Sequence, residues 1–445
     1  MVKIVEIFKR YKIYFAELFA LALPLILGNL GQIFIGITNV YVAAKYSIDA
    51  LAAVAIANAV IFTVFIVGVG LLMSISITLS NFRGSKTATK KYFNMSLLYT
   101  LALSVIFTIV TLSIIPLIDK LGFEPKLIPH IKEYMFISSF SFIGIYLYQG
   151  IREFLLAHEI VFFPNMVLLG AVAVNFVFNF AFVFGFGPIP AMGVVGLALS
   201  TLMVRTLMGL VLLFYCYKLV YSKKQIYKLN YVKKLFKVGY PIGIAMLVEF
   251  MAFNLITILV GRIDGLLSAT HNIILNIVDA TFMIPLALSS AMAIKIGFYN
   301  GARNYLEIKR YSIVGMSVSM IFMFCTSMIM LFFPKEIIVL FTDNKEILQI
   351  GVPILFVTAV FQIFDGLQVA ASGVLKGLKM TKVVSQCVFG GYWLLGIPLG
   401  CILAYKYDYK LLGFWIGLAV SLFVISIILS TIIFFKFKQL KKEYS

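Results

Sequence analysis

The stretch "VEFMAFNLITILVG", residues 248–261, contains a single full charge, Glu249. Upstream, "VGYPIGIAML" (238–247) has no charge, and the next ionisable residue downstream is Arg262. About 20 apolar residues suffice to cross the ~30 Å hydrocarbon core of a bilayer, so the run reads as a membrane-spanning helix. Placing a carboxylate inside that core costs roughly 2.5–3.5 kcal/mol on insertion scales, so a Glu there is rarely incidental. The rest of the chain must supply its reason.

The 445 residues are 62% hydrophobic and 12% charged, with a mean hydropathy of +1.04. A soluble domain has about 25% charged residues, so composition excludes one and implies a polytopic membrane protein. Cys216, Cys325, Cys387 and Cys401 lie in or beside apolar runs without CxxC spacing, and His130, His158 and His271 stand far apart. Neither set suggests a disulfide framework or a metal site. The basic start "MVKIVEIFKRYK" leads into an apolar run too long for a signal peptide core, so the first helix is expected to remain as an anchor.

Apolar runs long enough to span recur twelve times, near 15–40, 51–80, 92–117, 134–157, 162–185, 192–219, 236–261, 270–298, 311–334, 350–372, 384–404 and 411–435. With a cytoplasmic amino terminus, 27 Lys or Arg fall in the termini and the loops after even-numbered helices, and 9 fall on the other side. That bias puts both termini in the cytoplasm. The net charge of +19 therefore reports topology and the lipid surface, and no nucleic-acid partner is expected. The densest basic stretch, "YKLVYSKKQIYKLNYVKKLFK" (217–237), separates two halves that resemble each other. At an offset of 217, "LALPLILGNLGQ" (21–32) overlies "VGYPIGIAMLVE" (238–249), matching Pro24 to Pro241 and Gln32 to Glu249. "RGSK" (83–86) overlies "NGAR" (300–303), and one residue later Pro116 matches Pro334. The expected fold class is an all-α integral membrane protein of 12 transmembrane helices in two pseudo-symmetric six-helix bundles. Its domains are an N-terminal lobe (1–220), a basic cytoplasmic linker (221–235) and a C-terminal lobe (236–445). Repeats of this kind are a transporter architecture, with substrate bound near the midplane.

Three carboxylates lie deep in the apolar runs, all in the second half: Glu249, Asp279 and Asp365. The first half has amides instead, Gln32, Asn39, Asn175 and Asn179, and one deep cation, Arg205. An isolated carboxylate in hydrocarbon is either protonated or needs a cation, and both states invite coupling to H+ or Na+. Glu249 and Asp365 are the expected coupling residues. Asp279 is either a third member of that group or a structural partner of Arg205. Asn175 and Asn179, spaced i, i+4, serve as interhelical hydrogen-bonding groups or as cavity lining. In "FQIFDGLQVAASGVLKGLK" (361–379), Gln362, Asp365 and Gln368 recur every three residues on one face. Pro24, Pro241 and Pro285 mark places where membrane helices can bend and free carbonyls can meet cations.

These residues carry a resemblance. "ALPLILGNLGQ" in the first helix, "THNIILNIVDATFMIPLALSSAMAIKIGFYNGA" in the eighth and "FDGLQVAASGVLKGLKMTK" in the tenth resemble the multidrug and toxic compound extrusion (MATE) family, on its NorM-like bacterial branch. The resemblance implies cation-coupled antiport of organic, mostly cationic drugs or toxins by a rocker-switch cycle. It also implies a cation site at Glu249 and Asp365, between the seventh and tenth helices, and a polar first-lobe lining that includes Asn175 and Asn179. Where that family commonly has an acid in the first helix, this chain reads "IGITNVYVAA", with Asn39. Phe361 stands where an aromatic hydroxyl would be expected one turn before Asp365. Arg205 is an added cation that would favour zwitterionic or less cationic substrates.

The expected protein is a monomer in a bacterial inner membrane, without a cofactor beyond its coupling ion, Na+ or H+. The substrate cavity is expected to include Gln32, Asn39, Asn175, Asn179, Arg205 and Gln368. A lipid-linked oligosaccharide flippase is the nearest alternative, but it would need several deep cations for pyrophosphate. A membrane-embedded transferase would need a clustered acidic or His motif, which the chain lacks.

Overall fold

The computed structural model describes residues 2–444, with side chains from Tyr11 onward. The basic residues Lys3, Lys9 and Arg10, which entered the topology count, lie outside the described side chains. Twelve long helices follow the apolar runs: α1 (Val2–Tyr46), α2 (Ile48–Gly84), α3 (Phe93–Ile114), α4 (Ile128–Ala157), α5 (Phe162–Phe184), α6 (Gly193–Leu219), α7 (Leu229–Gly261), α8 (Gly265–Gly301), α9 (Tyr305–Phe332), α10 (Lys345–Gly377), α11 (Thr381–Lys406) and α12 (Lys410–Tyr444). Among the described residues, eleven of them are long and apolar enough to cross a membrane. The other, α4, is 30 residues long and holds buried Ser138, Ser139, Ser141, Tyr146 and Tyr148 along its middle. Internal hydroxyls lower its hydropathy without shortening it, and we count it as the twelfth crossing.

Polar residues set the helix ends. Ser47 accepts a hydrogen bond from Ala50 N at the start of α2, and Asp264 accepts from Leu266 N and Leu267 N at the start of α8. Asn304 and Asn344 do the same for α9 and α10. Each satisfies amide groups that the first helical turn leaves unpaired.

The repeat seen in the sequence recurs in the backbone. After α2, Lys86 has φ 59°, and Thr87 N bonds Phe82 O at 2.9 Å; after α8, Arg303 has φ 54°, and Asn304 N bonds Tyr299 O at 3.0 Å. A second pair of turns matches as well. Glu159 (φ 63°) and Lys379 (φ 62°) follow α4 and α10, with Ile160 N on Leu155 O and Met380 N on Leu375 O. The packing order repeats too: α4 packs on α2, α3 and α6, and α10 packs on α8, α9 and α12.

The chain divides into two compact units, Pro24–Gly243 and Met1–Leu23 with Ile244–Ser445. The division falls inside α1 and α7, at Pro24 and just after Pro241, rather than at the basic segment 221–235. Proline removes one i→i−4 hydrogen bond, so each helix changes unit beside its weakest point. Each helix start is held by a tyrosine. In one unit Tyr14 donates to Glu307 Oε1 at 3.0 Å and meets the Tyr311 ring edge-on at 4.9 Å. In the other, at the same offset of 217, Tyr231 shares a hydrogen bond with Ser96 Oγ at 2.8 Å and lies 4.8 Å from the Tyr92 ring.

Candidate functional site

Glu249 is half-buried on α7, and its Oε1 accepts a hydrogen bond from the Tyr392 hydroxyl at 3.1 Å. Beside it, the Trp393 indole N–H donates to Val248 O at 3.0 Å. Both aromatic residues come from Gly390–Gly396, a wide, π-helical turn within α11. Such turns insert an extra residue per turn and re-aim side chains, often at functional positions. Glycine allows α12 to approach here, since a Cβ on Gly391 would lie 2.2 Å from Ile425 Cγ1. Tyr392 is fully buried.

Asp365 on α10 is 3% exposed and makes no side-chain hydrogen bond or ion pair among the described residues. The charges of Glu249 and Asp279 both act on it, and the charge of Lys376, near the end of α10, acts on Glu249. Asp279 itself is exposed on α8. Nearby on α10, Gln362 Nε2 donates to Thr281 Oγ1 at 2.5 Å. Gln362 Oε1, Gln368 Oε1 and Ser372 Oγ are buried without a hydrogen-bond partner. Residues 362, 365, 368 and 372 share one helical face, so α10 presents a buried carboxylate flanked by unused oxygen acceptors. Among the described residues, no three His, Cys, Asp or Glu side chains gather closely enough to hold a metal ion by themselves.

In the other unit, Asn39, Asn175 and Asn179 come together. Asn179 Nδ2 donates to Asn39 Oδ1 at 2.8 Å and to Asn175 Oδ1 at 3.1 Å, and Thr38 Oγ1 donates to Asn175 Oδ1 at 2.7 Å. Asn175 Nδ2 and Asn179 Oδ1 are left buried and unpaired. Spare buried donors and acceptors are costly unless a guest or water completes them. Gln32, by contrast, is exposed on α1. Arg205 is half-buried on α6; its Nη1 donates to Ser141 Oγ at 2.8 Å, and it forms no ion pair among the described residues.

The sequence did not point to Tyr392. It lies in an uncharged run, and its only signal is the doublet Gly390-Gly391 just before it. The position expected to bring a hydroxyl, Phe361, is instead buried against Trp415 and Phe253, with ring centroids 5.5 and 6.4 Å away. The hydroxyl reaches Glu249 from another helix. Glu153 on α4 was also missed, because it lies four residues before the end of its apolar run; the structure leaves it 4% exposed. The first half thus also holds a buried acid, near the end of a helix rather than at its middle.

Comparison with known proteins bears on the family and the fold. The chain is 29% identical over 428 residues to a "probable multidrug resistance protein NorM" from Mesorhizobium japonicum, covering 93% of this chain and 92% of that protein. It is also 29% identical over 430 residues to the "multidrug resistance protein NorM" of Photobacterium profundum, covering 93% and 94%. Among solved structures, the eukaryotic MATE transporter AtDTX14 superposes with a TM-score of 0.85 at 17% identity, covering 98% of this chain and 100% of that one. An outward-facing multidrug resistance MATE family transporter superposes with a TM-score of 0.86 at 17% identity, covering 96% and 97%. The family's sequence pattern, described as MatE, matches residues 24–181 and 241–402, one stretch in each repeat, and the chain belongs to the MatE family.

Proposed function

We propose that this protein is a multidrug efflux antiporter. It exports organic, mostly cationic small molecules across a bacterial inner membrane, drawing on an inward cation gradient through an alternating-access cycle. Both termini face the cytoplasm, the two repeats act as lobes joined by the basic linker 221–235, and a single chain is the working unit. The observation that carries this reading is Asp365, a buried carboxylate without an ion-pair partner, placed where the charge of Glu249 reaches it. Two such groups cannot both stay ionised in a low-dielectric surround without a cation, so occupancy by a cation changes their charge and the energy of the state that holds them. A gradient does work only when the ion binds the two states unequally.

Na+ is the ion that fits best. It needs several hard oxygen ligands, and Glu249, Asp365, Gln368 Oε1 and Ser372 Oγ can supply them. A proton would need only a carboxylate. Asn39, Asn175, Asn179 and Arg205 supply hydrogen-bonding groups for the drug. Asp279, exposed on α8, attracts cations to the same region.

Dye efflux from energised vesicles, with Na+ and pH gradients imposed separately, tests this for wild type, Glu249→Gln and Asp365→Asn. Wild-type efflux is expected to follow the Na+ gradient, and each variant is expected to fall to near background. Efflux that ignores both gradients rules out antiport. Efflux driven by pH alone reassigns the ion to H+.

A further inference from the structure

We propose that Glu153 is a proton-binding site in the first repeat, a carboxyl that gains and loses a proton independently of Glu249 and Asp365. Glu153 lies near the end of α4 and is 4% exposed. Its Oε1 accepts from Gln149 Nε2 at 3.2 Å, and its Oε2 lies 2.5 Å from Ser76 Oγ on α2. It forms no ion pair among the described residues. The one charged group that acts on it is Arg152 on its own helix, whose Nη1 turns to Gln149 Oε1 at 3.5 Å. The adjacent Tyr148 hydroxyl donates to Pro164 O. From α2 only Ser76 reaches Glu153, and α3 and α6, the other helices packed on α4, bring no charged group to it.

Counting protons gives the second argument. Ser76 Oγ sits at hydrogen-bond distance from two oxygens, Glu153 Oε2 and Met73 O at 2.9 Å. A hydroxyl has one proton and can donate to only one of them. If Glu153 is ionised, one of the two contacts brings oxygen against oxygen with no hydrogen between. If Glu153 is protonated, its O–H donates to Ser76 Oγ, Ser76 donates to Met73 O, and both contacts are satisfied. The arrangement thus accommodates one added proton, with Ser76 and Gln149 as positioning residues. The Gln149 amide N–H faces the carboxyl, so the surround offers a metal cation no set of oxygen ligands.

Difference infrared spectra of the purified protein in lipid, recorded across the pH range in which vesicles transport, read this site without drug or gradient. The result therefore stands or falls separately from the antiport reading. Wild type is expected to show a protonated-carboxyl band that disappears as pH rises. Glu153→Gln is expected to lose that band, while the Glu249→Gln, Asp365→Asn double variant keeps it. Ser76→Ala, which retains the carboxyl, is expected to move the band's midpoint by about one pH unit, because the hydroxyl that takes up the carboxyl proton is gone. An identical spectrum in Glu153→Gln overturns the proposal, as does an unmoved midpoint in Ser76→Ala.

Discussion

At the scale of single residues, the structure turns on where one hydroxyl comes from. Tyr392 donates to Glu249 across 3.1 Å, and a hydrogen bond to a charged group is worth roughly 1.5–3 kcal/mol. Tyr392→Phe should therefore keep the ring packed against Phe253 and change the apparent affinity for the driving cation about tenfold. Initial efflux rates measured over a grid of Na+ concentration and pH would show the change. An unchanged grid would remove Tyr392 from the site. The reverse substitution is also informative. Phe361→Tyr restores the hydroxyl that the sequence pattern leads one to expect, but into a position 1% exposed between Trp415 and Phe253. An unpaired buried hydroxyl costs about 1–3 kcal/mol, so thermal stability in detergent should fall and coupling should not improve. Glu249 and Asp365 were legible in the sequence because charge in an apolar run is conspicuous. Tyr392 was not, because a tyrosine on an uncharged helix shows neither its partner nor the π-helical turn that aims it.

At the scale of elements, close helix approach and helix ends carry the argument. On α2, a Cβ at Gly70 would lie 2.4 Å from Gly243 Cα, with backbone rather than a movable side chain in its way. Gly70→Leu is expected to force α2 and α7 apart at the cost of about 1–3 kcal/mol or more, lowering the yield of folded protein, while Gly170→Leu, with nothing within 4 Å, should be tolerated. The end of α4 gives a pH prediction. His158 Nδ1 meets Phe154 O at 2.8 Å and Nε2 meets Thr89 Oγ1 at 3.0 Å. The carbonyl can only accept, so Nδ1 carries a proton, and in the neutral ring Nε2 accepts from the threonine hydroxyl. Burial chiefly holds the His158 pKa below 6.5, its ordinary value. The unfolded chain therefore binds the proton first. The stabilisation is full above about pH 6.5 and drains away as pH falls below it. Wild type should lose unfolding temperature between pH 7 and 5 more steeply than His158→Gln; parallel curves would remove the histidine from acid sensitivity. Helix existence was legible here, but helix ends were not. α8 runs over Gly265–Gly301 where the apolar run suggested 270–298, because backbone hydrogen bonding continues past the last apolar residue, secured by Asp264 at its start.

At the scale of the whole molecule, the sequence repeat and the backbone repeat are the same fact seen twice. Pro24 and Pro241, matched by an offset of 217, lie where α1 and α7 pass between compact units, and Tyr14 and Tyr231 hold the two helix starts at that same offset. The offset could be read from a handful of matched residues. The exchange of helix starts could not, because hydropathy records that a helix is apolar and not which neighbour it packs against. The same limit explains Gln32, which aligns with Glu249 in sequence yet is exposed, whereas Asn39, Asn175 and Asn179 gather from two helices. Orientation in the bilayer rests on charge, with 27 basic residues against 9 on opposite sides, and it makes a prediction that no packing argument can. Lys224 lies in the basic linker, and Lys126 lies between α3 and α4; both are exposed. In a chain whose four cysteines are replaced by serine, Lys224→Cys should react with a membrane-impermeant maleimide only in inside-out vesicles, and Lys126→Cys only in right-side-out cells. The opposite pattern would invert the protein and place the coupling carboxylates on the wrong side of the gradient proposed to drive them. Labelling of both positions from one side would mean an even number of crossings between them instead of three, and α4, with its buried serines and tyrosines, would be the first helix to lose its place as a span.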